Sequence, residues 1–198
     1  RAQPPLRALQ IEELAIDPRP EGGFTLGRAS AEWQRLAFSA QGRLRHSAPL
    51  PLELQASVVP LAAGDTPPWA ATLHAGGELA RIDVQATLRG VPRGRRLAPE
   101  ADLRAELRPF AAWPLGALSA QTQALDLAAL SPQAPQTRLH GRAELRSSAA
   151  DAPLTASVVL ENLLPGRWNE ARLPLRRLAL ELRGQLDQRD RIEATRFE

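Results

Sequence analysis

Residues 101–109 read ADLRAELRP, with Ala101, Leu103, Ala105 and Leu107 on one parity and Asp102, Arg104, Glu106 and Arg108 on the other. A period of two puts the first set on one side of an extended chain and the charges on the other, an arrangement that the 3.6-residue period of a helix scatters. The pattern recurs, and its recurrence constrains the fold more than any other feature. Leu36, Phe38, Ala40, Gly42 and Leu44 share a parity, and so do Leu50, Leu52, Leu54, Ala56 and Val58. Ala80, Ile82, Val84, Ala86 and Leu88 stand against Arg81, Asp83, Gln85, Thr87 and Arg89. Further on come Leu139, Gly141, Ala143 and Leu145, then Leu154, Ala156, Val158 and Leu160, then Leu178, Leu180, Leu182, Gly184 and Leu186. Each run predicts a half-buried strand with one wet face.

Helix is the competing reading, because Leu, Ala, Arg and Glu are strong helix formers. Over 175–186 it has support, since Leu175, Leu178, Leu182 and Leu186 also fall at helical spacing, although Pro174 and Gly184 oppose it. Over Arg81–Arg89 and Arg138–Arg146 no helical apolar stripe exists, and pattern outranks propensity when the two conflict in many segments.

The eighteen prolines and thirteen glycines fall largely between the alternating runs, as in DPRPEGG at 17–23, GDTPP at 64–68 and PG at 165–166, where they signal turns. A loop break is expected over 89–100. Around 120–127 the apolar parity switches from Leu118 and Ala120 to Leu125 and Leu127, which predicts a bulge or a strand break. Residues 42–60 resemble residues 141–160, with Ala56-Ser57-Val58-Val59 repeated as Ala156-Ser157-Val158-Val159. Each copy reads as a hairpin, and stacked hairpins make an elongated, quasi-one-dimensional sheet.

The 198 residues are 43% hydrophobic and 24% charged, the composition of a folded chain. Aromatics are only 4%, which is poor material for a thick core. Formal net charge is only +3 and the two signs interleave, so no single-sign field for gathering nucleic acid is expected. Cysteine is absent, which decides nothing about compartment by itself. No apolar run approaches the length of a membrane-spanning helix. The whole of 1–198 is read as one repetitive β segment of something longer.

Two stretches carry a family likeness. AELRPFAAWPLGALSAQTQALDLAALSPQAPQTRLHGRAEL (105–145) and PLTASVVLENLLPGRWNEARLPLRRLALELRG (153–184) resemble the periplasmic region of the translocation and assembly module (TamB) family, which is AsmA-like. The likeness rests on Trp113-Pro114-Leu115, Leu125-Asp126-Leu127, Pro135–Gly141, Leu160-Glu161-Asn162 with Pro165-Gly166, and Arg172-Leu173-Pro174-Leu175. Residues 1–95 match in style alone. The resemblance implies an all-β, elongated and curved, mostly antiparallel repeat sheet forming an apolar groove, β-taco-like in section. It implies a location in the periplasm, with the parent protein anchored in the inner membrane. It also implies phospholipid transport to the outer membrane, support of outer-membrane protein assembly, and an Omp85-type outer-membrane barrel as a partner of the parent.

On that reading the alternating face is a conduit wall for phospholipid acyl chains. The residues expected to line it are Leu36, Phe38, Leu52, Leu54, Val58, Ile82, Val84, Leu88, Leu103, Leu107, Leu139, Leu145, Leu154, Val158, Leu160, Leu178, Leu180 and Leu182. About ten strands side by side would make roughly 50 Å of groove. One face of an ordinary β-sandwich is the plainer alternative. A periplasmic scaffold that pairs client strands with its sheet edges is the other functional reading.

No catalytic constellation is found. His46, His74 and His140 lack the spacing of ligand pairs, and there is no G-x-S-x-G and no cysteine nucleophile, so neither enzyme, metal nor cofactor is expected. Glu106 and Asp83 read as cross-strand partners of arginines. Arg89, Arg93, Arg95 and Arg96 read as a solvated loop more readily than as a headgroup site. Trp113 and Trp168 are candidates for caps at the groove ends, with core filling the equal alternative.

Overall fold

The computed structural model describes residues 8–19, 22–33, 36–61, 69–91, 98–130, 133–147, 153–185 and 188–197. Strands form over the alternating runs and also outside them: β1 (Ala8–Asp17), β2 (Gly23–Trp33), β3 (Leu36–Arg45), β4 (Pro51–Pro60), β5 (Trp69–Glu78) and β6 (Arg81–Gly90). They continue with β7 (Glu100–Leu107), β8 (Leu115–Leu125), β9 (Leu139–Arg146), β10 (Pro153–Asn162), β11 (Arg177–Gln185) and β12 (Gln188–Phe197). The helical alternative over 175–186 gives way to β11, because cross-strand pairing from Glu161↔Arg177 to Pro153↔Gln185 satisfies its backbone along its whole length.

All twelve strands form one sheet in sequence order, each antiparallel to the next. This is an open meander built of hairpins, with β1 and β12 as its edges. In the run over 89–100, residues 92–97 lie outside the described residues, and the strands on either side of it are neighbours in the sheet. β6 and β7 pair from Ile82↔Leu107 to Arg89↔Glu100, and Pro99 accepts a hydrogen bond from Gly90 N–H at 2.8 Å. The parity switch near 120–127 is a bulge between Thr122 and Leu125, where Ala124 takes a φ of 50°. Both copies of the internal repeat are hairpins, β3–β4 and β9–β10.

Gly141 on β9, opposite the strand carrying that bulge, shows why glycine is needed there. Its φ is 155°, and a Cβ would sit 2.1 Å from the carbonyl oxygen of Val159 on β10.

The sheet has one layer, so it has little interior. Among the described residues no large side chain is fully buried, and the buried hydrophobic set consists of Trp69, Ala75, Ile82, Ala124, Ala129, Leu139, Leu154 and Ala179. A sheet normally covers its apolar face with a second sheet or helices. Here the one α-helix among the described residues is α1 (Leu127–Leu130), too short to cover more than a rim.

Candidate functional site: an apolar face and a polar trough

Residues directly opposite each other in a ladder project to the same side of the sheet, so register decides which side chains share a face. Phe38 stands opposite Val58, Leu44 opposite Leu52, and Gly42 opposite Leu54. Leu54 and Val84 both face Ala75 from either side. Ile82 is opposite Leu107, Ala86 opposite Leu103, and Leu88 opposite Ala101. Leu118 passes the face on to Leu145 across the β8–β9 ladder, and Leu125 to Leu139. Leu145 then meets Ala156, Val158 meets Leu180, Leu160 meets Leu178, and Ala156 meets Leu182. With Leu36 opposite Pro60 and Leu154 opposite Gly184, all eighteen residues expected to line a groove fall on one continuous face. Fifteen of them are half-buried; Ile82, Leu139 and Leu154 are buried.

The face extends beyond those residues. Ile11 is opposite Ala29, Leu14 opposite Leu26 and Ile16 opposite Phe24, so β1 and β2 belong to it as well. Leu9, Ile11, Leu14 and Ile16 are 53–64% exposed because the edge strand has a neighbour on one side only. Sequence alternation does not reveal these two strands because bulges at Glu12–Glu13 and between Leu26 and Ala29 reverse the parity midway. The signal was the same kind of parity switch that marks the bulge in β8.

One rim of the apolar face is fastened by the β8–β9 connection. The Trp69 indole N–H at the start of β5 donates to the Ala129 carbonyl in α1 at 3.1 Å, and both residues are buried. Three strand spacings, about 14 Å, separate β5 from β8. The connection is shaped by Asp126, whose Oδ1 accepts from the N–H groups of Ala128 and Thr137, and by Thr137, whose hydroxyl donates to the Leu125 carbonyl at 3.0 Å. Beside it Asn162 holds the β10–β11 connection, accepting from Arg138 and Leu164 N–H at 3.1 Å each. Trp69 is therefore the tryptophan that closes a rim. Trp168 is 64% exposed and neither caps nor fills, while Trp113 is half-buried in the β7–β8 turn.

The opposite face is polar and has two chemistries. Over β6–β11 it carries charges: Arg89 meets Asp102 at 2.6 Å, and Glu106 accepts from Arg81 and from Arg108, each ion pair also at 2.6 Å. The Arg108 guanidinium, aided by Arg81, holds the Glu106 carboxyl below the usual carboxylate range. Asp83 departs from the expected pairing. It lies directly opposite Glu106 and has no ion pair among the described residues, because Arg81 and Arg108 both turn to Glu106. Arg93, Arg95 and Arg96 lie outside the described residues.

Over β2–β6 the middle of the polar face is largely uncharged and concave, with Arg43 and Glu53 opposite each other beyond the row of Gln41 and Gln55. A trough of about 920 Å³ is lined by Ser39, Ser57, Thr72 and Thr87, with Gln41, Gln55, His74 and Gln85 beside them. Smaller concavities of about 390 and 200 Å³, around Arg104 and Ser157, also open on the polar side. These hollows thus lie on the side opposite to the expected apolar groove. Twist makes an open sheet saddle-shaped, so either face is concave along one diagonal, and short hydroxyl side chains beside a row of long amides deepen the polar one. His46, His74 and His140 are not brought together with other ligand-type residues into any group of three or more among the described residues.

No family model, curated protein or solved structure matches this chain.

Proposed function

We propose that the chain is one stretch of a periplasmic conduit that carries phospholipid between inner and outer membranes, with the apolar face of the meander as its lipid-bearing wall. The observation that carries this reading is that face itself: continuous through β11 and, among the described residues, uncovered by a second layer. Each methylene of an acyl chain taken out of water contributes roughly 0.8 kcal/mol, so a tail is held firmly in total and weakly at any one strand, which suits sliding. Leu, Val and Ala give that wall no specific hydrogen-bonding group. The likeness of 105–145 and 153–184 to the TamB family supports the same reading, and with it a role of the parent protein in outer-membrane protein assembly beside an Omp85-type barrel.

The test is photocrosslinking in cells with a photoreactive residue at Leu107, and at Arg104 on the polar face of the same strand as control. Lipid adducts at Leu107 and none at Arg104 are expected. Absence of lipid at Leu107, with crosslinks to other protein instead, would overturn the conduit.

A second reading, a scaffold for client strands, is favoured by the open edge of β1, whose four large apolar side chains are more than half exposed. It predicts that a client peptide competes for crosslinks from β1 and leaves those from Leu107 unchanged.

A further inference from the structure

The neutral trough has no part in holding acyl chains, and its construction is regular. Ser30, Ser39, Ser57, Thr72 and Thr87 lie in straight register across β2–β6, one hydroxyl per strand on five consecutive strands. At about 4.8 Å per strand the row is roughly 19 Å long. A second row, Gln41, Gln55, His74 and Gln85, runs parallel to it over β3–β6. Ser39, Ser57 and Thr87 are half-buried and form a floor, while the exposed amides and imidazole form one wall. Ala37 and Val59 stand on the opposite side of the floor and supply apolar surface.

The hydroxyls are pre-ordered and only partly used. Ser39 and Ser57 share one hydrogen bond at 2.7 Å, and Thr72 and Thr87 share another at 2.8 Å. A hydroxyl has one proton and two lone pairs, so each pair keeps one proton and several acceptor sites for a ligand. Gln41 donates to the Gln55 carbonyl oxygen at 2.9 Å, which ties two trough-lining amides together and leaves the Gln41 oxygen and the Gln55 N–H₂ outside that bond.

Charge narrows the ligand class. At the β1 end Arg28 stands 3.9 Å from Glu12, and past Thr87 the row ends on Asp102, paired with Arg89 at 2.6 Å, so both ends are neutralised. Along the side, beyond Gln41 and Gln55, Arg43 stands opposite Glu53, so a polyanion finds no single-sign field there. An acyl chain would strip water from hydroxyls without replacing their bonds, which is costly. A polypeptide strand would seek a sheet edge.

We infer that the β2–β6 polar trough binds a neutral linear oligosaccharide lying across the strands, its hydroxyls on the Ser/Thr floor and glutamine wall and its C–H faces toward Ala37 and Val59. Periodic hydroxyls on the ligand meet periodic hydroxyls on the floor. Without an aromatic platform to stack on, the affinity falls in the millimolar range.

The test is a titration of the isotope-labelled full chain, followed by amide NMR, with cellohexaose, maltohexaose and a β-1,4-linked N-acetylglucosamine hexamer. At least one is expected to shift the Ser57, Thr72 and Gln55 amides saturably, while Glu144 and Arg183 on the charged half stay still. Ser57→Ala combined with Thr72→Val should weaken binding roughly tenfold, and Gln55→Ala with Gln85→Ala, which spares the floor, should do the same. The inference is overturned if none of the three shifts those amides at about 10 mM. It is equally overturned if both double variants bind as the parent does, or if a sulfated hexasaccharide binds as well as the neutral ones.

Discussion

The indole N–H of Trp69, at the first position of β5, ends on the carbonyl of Ala129 in α1, 60 residues further along the chain. In a single-layer meander nearly every contact is between neighbouring strands, so this bond is a long-range tie that the ladders do not provide. Replacing Trp69 with Phe keeps most of the ring and leaves the buried Ala129 carbonyl without its donor, which costs about 1–3 kcal/mol. Trp69→Ala also removes the packing and should cost roughly 3–5 kcal/mol. Urea unfolding of the two variants checks both values. Loss of less than about 0.5 kcal/mol in Trp69→Phe would mean that α1 is held by something other than this bond.

Leu107 is half-buried against Ile82 on a face that no second layer covers among the described residues. In a sandwich, Leu107→Arg would place a charge in a sealed interior at a cost of several kcal/mol. On an uncovered face the guanidinium reaches water past the sheet surface, so a loss of about 1 kcal/mol or less is expected. Lipid crosslinking from neighbouring Val84, on the same face across β6, should fall at the same time. Thermal unfolding and the crosslink yield together separate a wall that contacts lipid from a hidden core.

How much of this was legible in the sequence depends on how regular each strand is. Where alternation runs unbroken, as in Ile82–Leu88 against Leu103–Leu107, both the strand and its inward side could be read, because hairpin pairing keeps like parity together. Where a bulge intervenes, as at Glu12–Glu13, the same count puts Leu9 and Leu14 on apparently opposite faces although both lie on one. Which face is hollow was not legible. Alternation says which side chains share a face, but the hollow depends on twist and on side-chain length, as where the short row of Ser39, Ser57 and Thr72 runs beside the longer Gln41, Gln55 and His74. The tie from Trp69 to Ala129 was equally hidden, since nothing local in Trp69-Ala70-Ala71 announces a partner in the β8–β9 connection.

Gly141 tests the backbone. Any side chain there must push the Val159 carbonyl away from 2.1 Å, and that carbonyl points into the β9–β10 ladder, where Val159 stands opposite Arg142. Gly141→Ala should therefore destabilise by more than about 1 kcal/mol, although alanine is ordinarily the mildest replacement for glycine. Gly76→Ala, where the nearest approach is the His74 ring at 3.3 Å, should change stability far less. Equal effects at both positions, measured by urea unfolding, would show that the close approach at Gly141 is not what excludes a side chain.

Glu106 sets the acid limb of stability. Its carboxylate is largely shielded, accepts from Arg108 Nε at 2.7 Å and from Arg81 Nη2 at 2.6 Å, and its pKa is depressed first by the Arg108 hydrogen bond, opposed next by burial, and lowered further by the charges of both arginines and the Arg81 hydrogen bond. A group whose folded pKa lies below its unfolded value stabilises the fold above the unfolded value, about 4.3 for glutamate, and that contribution is lost as pH falls through the folded pKa. The wild-type chain should therefore lose stability between about pH 5 and pH 3 in part through this site. Glu106→Gln removes the titrating proton, so the variant should be less stable at pH 7 and should lose less on acidification. Asp83, directly opposite, then faces an amide instead of a like charge, which recovers part of the loss at neutral pH. Urea midpoints for both proteins at pH 7, 5, 4 and 3 check the sign. Parallel midpoint curves would mean that Glu106 titrates alike in folded and unfolded chains, and that the arginine pair around it does not stabilise its charged form.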